Sequence, residues 1–185
     1  MRVAIAVPHT GTVHAKFAFS LAQMVTYATV SGIEVAMVDA QTSLVPKGRH
    51  ELVQQAMGAE ADAIIFFDSD MVFPMETVAG LVNADKDIIG LNYRRTVPPH
   101  DETARNIHKD GSCDWIGTGG LFIDLCVFRD IGVPYFKIDY DKEKDAFQSE
   151  DYNFALRARL VGYKIWVHKE LSKGVVHIGQ EGYVL

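Results

Sequence analysis

Residues 63–70, Ala-Ile-Ile-Phe-Phe-Asp-Ser-Asp, place five apolar residues directly ahead of two carboxylates. An apolar run of this length, with no Gly or Pro inside, reads as a strand buried on both faces. In extended chain, side chains two apart point the same way, so Asp68 and Asp70 are expected to reach one common point beyond the strand end. In open α/β sheets that end is where ligands bind. Two hard oxygen donors there suit a divalent cation that also holds substrate phosphates. The triplet is common in itself, since Asp85-Lys86-Asp87 and Asp139-Tyr140-Asp141 repeat it. Only the first copy follows a buried-strand pattern.

The remaining elements arrange themselves around that strand. Residues 2–7 read as a first strand stopped by Pro8, and Phe17, Leu21, Met24 and Ala28 fall on one face of a following helix. A second strand covers 34–38, with Asp39 at its end. A helix between two apolar strands favours parallel pairing with a right-handed crossover. The Gly-rich dinucleotide fingerprint is missing after the first strand, which argues against such a cofactor. Pro8-His9-Thr10-Gly11-Thr12 offers one glycine and no lysine for a phosphate loop. Arg49 opens a short helix reaching Gly58; it reads either as a surface residue or as a contact for a diphosphate. Pro74 suits a first helical position, and 87–91 forms a fourth strand.

Residues 94–110 are polar and without periodicity, and Arg94, Arg95, His100, Arg105, His108 and Lys109 make them locally basic. Such a stretch reads equally as a lid over an anionic ligand or as a disordered excursion. Gly117, Gly119 and Gly120 permit close backbone approach to a ligand or a neighbouring chain segment, or make a tight turn. Residues 127–131 suggest a short helix ended by Gly132, and 139–145 a second exposed loop. Ser149 caps a helix whose first turn carries Glu150 and Asp151, favourable against the helix dipole. Strands follow at 164–167 and 175–179, the last containing His177.

The 185 residues suit one domain with a substantial core. A net charge of −6 argues against wide contact with a nucleic-acid backbone. Cys113 and Cys126 provide neither a disulfide framework nor zinc spacing and read as free thiols. With no signal-like start and no membrane-length apolar run, the expectation is a soluble cytoplasmic protein.

As a set and in this order, the strand ending in Asp68-Ser69-Asp70, the segment Trp115 to Gly120, Ser149-Glu150-Asp151 opening a helix that closes at Gly162, and the late His177 resemble the GT-A-type glycosyltransferases of the family-2 class. The resemblance implies a single GT-A-like (Rossmann-like) α/β domain over 1–185, with a mostly parallel central sheet flanked by helices and mobile loops over the strand ends. Residues 1–92 would form the nucleotide-sugar half and 111–185 the acceptor and catalytic half. It implies a donor site of Pro8, Asp39, Arg49, Asp68, Ser69, Asp70, Gly119 and Gly120. A Mn2+ or Mg2+ ion would sit on Asp68, Asp70 and His177, with Asp151 as base and Glu150 as helper.

The implied reaction is transfer of a sugar from a nucleotide diphosphate, a UDP-sugar, to an acceptor hydroxyl with inversion. The acceptor stays open among a glycan, a small molecule and a modified nucleobase, and association with further copies of the chain also stays open. The chain is short for the class, so acceptor recognition falls to residues 94–110 and 135–148 or to a second subunit. The competing readings are a nucleotidyltransferase and a non-catalytic nucleotide- or carbohydrate-binding module of the same fold.

Overall fold

The structure is a computed structural model and describes residues 1–96 and 101–178. In chain order the elements are β1 (Arg2–His9), α1 (Ala15–Val30), β2 (Glu34–Gln41), α2 (Val45–Gly58), β3 (Ala63–Phe67), β4 (Met71–Val72) and α3 (Thr77–Asn83). Then come β5 (Ile88–Gly90), β6 (Ser112–Cys113), β7 (Gly120–Asp124), α4 (Leu125–Ile131), β8 (Asp139–Asp141), β9 (Ala146–Gln148), α5 (Glu150–Leu160), β10 (Ile165–Val167), α6 (Lys169–Ser172) and β11 (Val176–His177). Among the described residues, seven strands form one sheet in the order β2-β1-β3-β7-β5-β10-β6. β2, β1, β3, β5 and β10 run in one direction, while β7 and β6 run against it. The fold is thus α/β with a mostly parallel central sheet, as expected.

Strand alternation divides the core. Ala4, Ala6, Ile64 and Phe66 pack on one face of the sheet with Leu52, Val53 and Ala56 of α2, Phe128 of α4 and Phe154 of α5. Val3, Ile5, Ile65 and Phe67 pack on the other with Phe17 and Met24 of α1 and Val78 and Leu81 of α3. All five residues of β3 are buried, because helices cover both faces and β1 and β7 flank it.

Several boundaries differ from the sequence reading, each for a physical reason. β1 runs through Pro8, which lies opposite Ala40 of β2. β3 pairs with β1 only as far as Ala6↔Phe66, so the missing proline N–H leaves no gap on that side. α2 begins at Val45, four residues before Arg49, because Pro46 occupies its first turn, where a proline N–H would be unpaired anyway. Pro74 instead precedes the turn that leads into α3. The charged stretch 139–145 is part of a hairpin, with Tyr140 opposite Phe147 in the ladder between β8 and β9.

Residues 94–110 are stitched to the body rather than running freely where they are described. Thr103 N–H donates to Tyr93 O at 2.9 Å and Arg105 N–H to Trp115 O at 2.9 Å. Asn92 Oδ1 accepts from Ala104 N–H at 2.9 Å. Among the described residues Arg105 pairs with Asp101 and His108 with Asp114. His100 and Gly179, both parts of sequence-based expectations, lie outside the described residues. Among the described residues no helix is long and apolar enough to cross a membrane.

Candidate active site

β3 ends at Phe67, and the next three residues leave the extended conformation, Ser69 and Asp70 lying in a turn. The two-residue alternation therefore lapses, and Asp68 and Asp70 are held by different partners instead of converging directly. Asp68 turns toward the face of the sheet covered by α2 and α5. There its Oδ1 accepts from Arg49 Nη2 at 3.3 Å.

Arg49 is the hub of that side. It shares a face of α2 with Leu52, Val53 and Ala56 and is only 4% exposed. Its Nη1 donates to Asp151 Oδ1 at 3.0 Å and, over a shorter distance, to Glu150 Oε1. Both acids stand in the first turn of α5, which Ser149 caps by accepting from Tyr152 N–H at 3.3 Å. Asp151 Oδ1 also accepts from Thr118 Oγ1 at 2.8 Å. Three carboxylates from two distant segments thus share one guanidinium, which they hold firmly protonated. One positive charge does not satisfy them all. Burial pushes the Asp68 carboxyl up despite Arg49, and burial with the adjacent Asp151 pushes Glu150 up.

The other side is built by strand pairing. β4 and β11 are antiparallel, with His177 opposite Met71, and Ile178 N–H donates to Asp70 O at 2.8 Å. This ladder carries His177 Nε2 to 3.3 Å from Asp70 Oδ2, across 107 residues of sequence. His177 Nδ1 lies 3.2 Å from the Arg94 carbonyl, which can only accept. Nδ1 is therefore the protonated nitrogen, and Nε2 faces a carboxylate across a gap that needs a proton or a cation. The hydrogen bond from His177 lowers the Asp70 carboxyl and raises the imidazole in return.

A cavity of about 430 Å³ joins the two sides. Asp70, His177, Asp151, Ser149, Tyr93 and Trp115 are among the residues lining it. Gly119 lies beneath, its N–H donating to Tyr93 Oη at 3.2 Å and its carbonyl accepting from Asp68 N–H at 3.3 Å. A Cβ there would come within 2.6 Å of Asp68 Oδ2 and closer still to Tyr93 Oη. Gly120 opens β7, and its carbonyl accepts from Leu91 N–H. Tyr93 packs edge-on against the His177 ring at 5.5 Å, and burial with the charge of Asp68 holds its phenol well above the ordinary value.

Of the expected donor residues Asp70 lines this cavity, while Arg49, Asp68, Gly119 and Gly120 do not, and Gly119 meets it through Tyr93. Pro8 is a strand residue of β1. Asp39 pairs with His9 at 3.1 Å, and both line a separate apolar groove between α1 and β2. Ser69 engages through its carbonyl, which accepts from His14 N–H at 3.1 Å. Tyr93 and Thr118 belong to the site and were missed. Tyr93 carries no sequence signal that separates it from an ordinary core residue, whereas Thr118 lies inside the Trp115 to Gly120 segment.

The residues fit a divalent ion only in part. Asp70 and His177 fit, because a carboxylate and an imidazole whose other nitrogen donates to a backbone carbonyl form a usual donor pair. Asp68 does not join them in this arrangement, its Oδ1 being bound to Arg49. Among the described residues, no three His, Cys, Asp or Glu side chains converge closely enough to hold a metal ion by themselves.

The mostly parallel seven-stranded sheet flanked by helices, with an acid-lined cavity at its strand ends, matches solved structures with a GT-A-type fold. No protein-family model matches the chain, and no curated protein sequence matches it. Solved structures that share the fold include A197 from STIV, at TM-score 0.59 and 16% identity over 90% of this chain and 81% of that one. A mutant of Drosophila beta-1,4-galactosyltransferase 7, complexed with manganese, UDP-Gal and xylobiose, matches at TM-score 0.58 and 12% identity, over 95% of this chain and 70% of that one. A glycosyltransferase involved in glycosylation of the major capsid of PBCV-1 matches at TM-score 0.54 and 13% identity, over 96% and 94%. At these identities the likeness is one of fold.

Proposed function

We propose that the chain is a metal-dependent glycosyltransferase that moves a sugar from a UDP-sugar to an acceptor hydroxyl, with inversion. The observation that carries this reading is that Asp151, Asp70 and His177 line one cavity although they come from three distant parts of the chain. The crystallised Drosophila relative, with manganese and UDP-Gal bound, supports the donor class.

Asp70 and His177 would hold the ion, whose charge, when bound, favours departure of the nucleoside diphosphate. Asp151 takes the proton from the acceptor hydroxyl as its oxygen attacks the anomeric carbon. Arg49 and Thr118 both bond to Oδ1. Among the described residues Oδ2 receives no hydrogen bond and is left to accept that proton. Gly119, by lacking a side chain, lets Asp68 and Tyr93 close the floor beneath the donor. Residues 1–92 supply the donor side, and 111–185 supply the base and most of the acceptor side. The cavity wall formed by Trp115 and Arg105 receives the acceptor.

The test is Asp151→Asn. UDP with Mn2+ should raise the melting temperature of wild type and variant alike, while transfer or donor hydrolysis falls by about 10²–10⁴ in the variant. A wild type with no Mn2+-dependent shift and no hydrolysis of any UDP-sugar refutes the proposal. A wild type that binds UDP with Mn2+ but turns over with no acceptor identifies a binding module instead.

A further inference from the structure

Arg49 has the shape of a diphosphate ligand, but its surroundings argue for another role. Its guanidinium is buried, and its two terminal nitrogens are already bonded to Glu150, Asp151 and Asp68. Among the residues that line the cavity, Arg49 is absent while Asp151 is present. A phosphate oxygen entering the cavity would therefore meet Asp151 before it met Arg49, whose Nε, without a partner among the described residues, is itself buried away from solvent. The planar fork suits the opposite task, gripping carboxylates from two elements at fixed angles.

We infer that Arg49 is a positioning residue: it orients Asp151 through Oδ1 and ties the base to Asp68 at the donor side, without contacting the donor phosphates. The inference rests on the transferase reading above. Glu150 then serves as the far anchor of the guanidinium rather than as a second proton carrier. The same logic assigns Thr118 a smaller share of the same task, because its hydroxyl bonds to the same oxygen at 2.8 Å.

The experiment compares wild type, Arg49→Met, Arg49→Lys and Thr118→Val. UDP binding in Mn2+ is measured by calorimetry, and kcat and KM are measured with UDP-glucose, UDP-galactose and UDP-N-acetylglucosamine. A positioning role predicts UDP affinity and donor KM within about threefold of wild type, with kcat lowered about 10²-fold or more in Arg49→Met, the scale expected when a base is misplaced. Arg49→Lys should recover about tenfold of that loss, because an ammonium keeps the charge but not the fork. Thr118→Val should lower kcat with UDP affinity unchanged, and it decides the matter if Arg49→Met does not fold. Loss of UDP affinity by tenfold or more in Arg49→Lys, with kcat preserved, overturns the inference and makes Arg49 a phosphate ligand. Wild-type kcat in both Arg49→Lys and Thr118→Val overturns it equally. A wild type inert toward all three donors and blind to UDP defeats the transferase reading itself, a result separable from either of these.

Discussion

Replacing Gly119 by alanine probes the closest packing in the site. The backbone there lies outside the left-handed region, so alanine meets no dihedral penalty, and the whole effect comes from the added methyl group. That methyl would sit 2.6 Å from Asp68 Oδ2 and 3.0 Å from Met71 Sδ, and nearer still to Tyr93 Oη. None of the three can swing away freely. Met71 is fully buried, Tyr93 is buried, and Asp68 is tied to Arg49 at 3.3 Å. Overpacking of this sort costs about 1–3 kcal/mol, and for a chain of this size each kcal/mol lowers Tm by about 2–4 °C. The variant should therefore melt about 2–12 °C below wild type. Because the displaced groups are site residues, turnover should fall by about a hundredfold as well, the cost of an ångström of misplacement. Gly58→Ala is the control: no atom lies within 4 Å of its added Cβ, it ends α2, and it should leave Tm unchanged or raise it slightly. Thermal melts and UDP calorimetry in Mn2+ read both. If Gly119→Ala melts and binds like Gly58→Ala, then Asp68 and Tyr93 are not packed on Gly119 and the described floor of the cavity is wrong.

Two further outcomes follow from the electrostatics. The Glu150 carboxyl is raised by burial and then by Asp151, so the fold holds its proton more tightly than the unfolded chain does. Its contribution to stability is complete below the unfolded value of about 4.3 and is lost as pH rises through the folded value. Urea melts of Glu150→Gln against wild type should thus shift in the variant's favour between about pH 4 and pH 7, and a flat or opposite trend contradicts the cluster. Burial, followed by the charge of Asp114, pushes the Cys113 thiol up to about 12, whereas Cys126 is half-buried with Sγ 3.5 Å from Tyr163 Oη. Alkylation of the native protein should label Cys126 first and Cys113 only on unfolding; the reverse order would show that Cys113 is not enclosed.

What could be read from the sequence was what is local. The five buried residues of β3, the Phe17–Met24–Ala28 face of α1, the Ser149 cap and the Gly132 stop depend on neighbours within a turn or two. The misreadings arose where a distant partner changes what a residue means. Pro8 looks like a stop until β3 falls short of it, and 139–145 looks like loop because its charges hide the Tyr140–Phe147 pair that faces across the hairpin. Residues 94–110 lack periodicity, and where they are described their order comes from bonds to Asn92, Tyr93 and Trp115 rather than from a repeating pattern. Arg49 was closer to legible than its reading allowed: a charged residue in register with Leu52, Val53 and Ala56 on a buried helix face demands buried acids opposite it. Tyr93 and Thr118 had no such mismatch to betray them.

The cluster of charged side chains at this cavity carries a cost to the fold. Asp68, Asp70, Glu150 and Asp151 bring four negative charges to one corner, against which stand Arg49 and, when protonated, His177. Burial is the main cause that raises the Asp68 and Glu150 carboxyls, and the neighbouring carboxylate of Asp151 adds to it. A site meant only to be stable would use apolar residues there, since buried ion clusters rarely outperform them. The Asp70–His177 gap, with Nδ1 already committed to the Arg94 carbonyl, is where a divalent ion would meet both a carboxylate and a lone pair. On the proposed reading Asp70 and His177 would serve the metal-bound end of the donor, while Arg49 holds the base through Asp151 Oδ1.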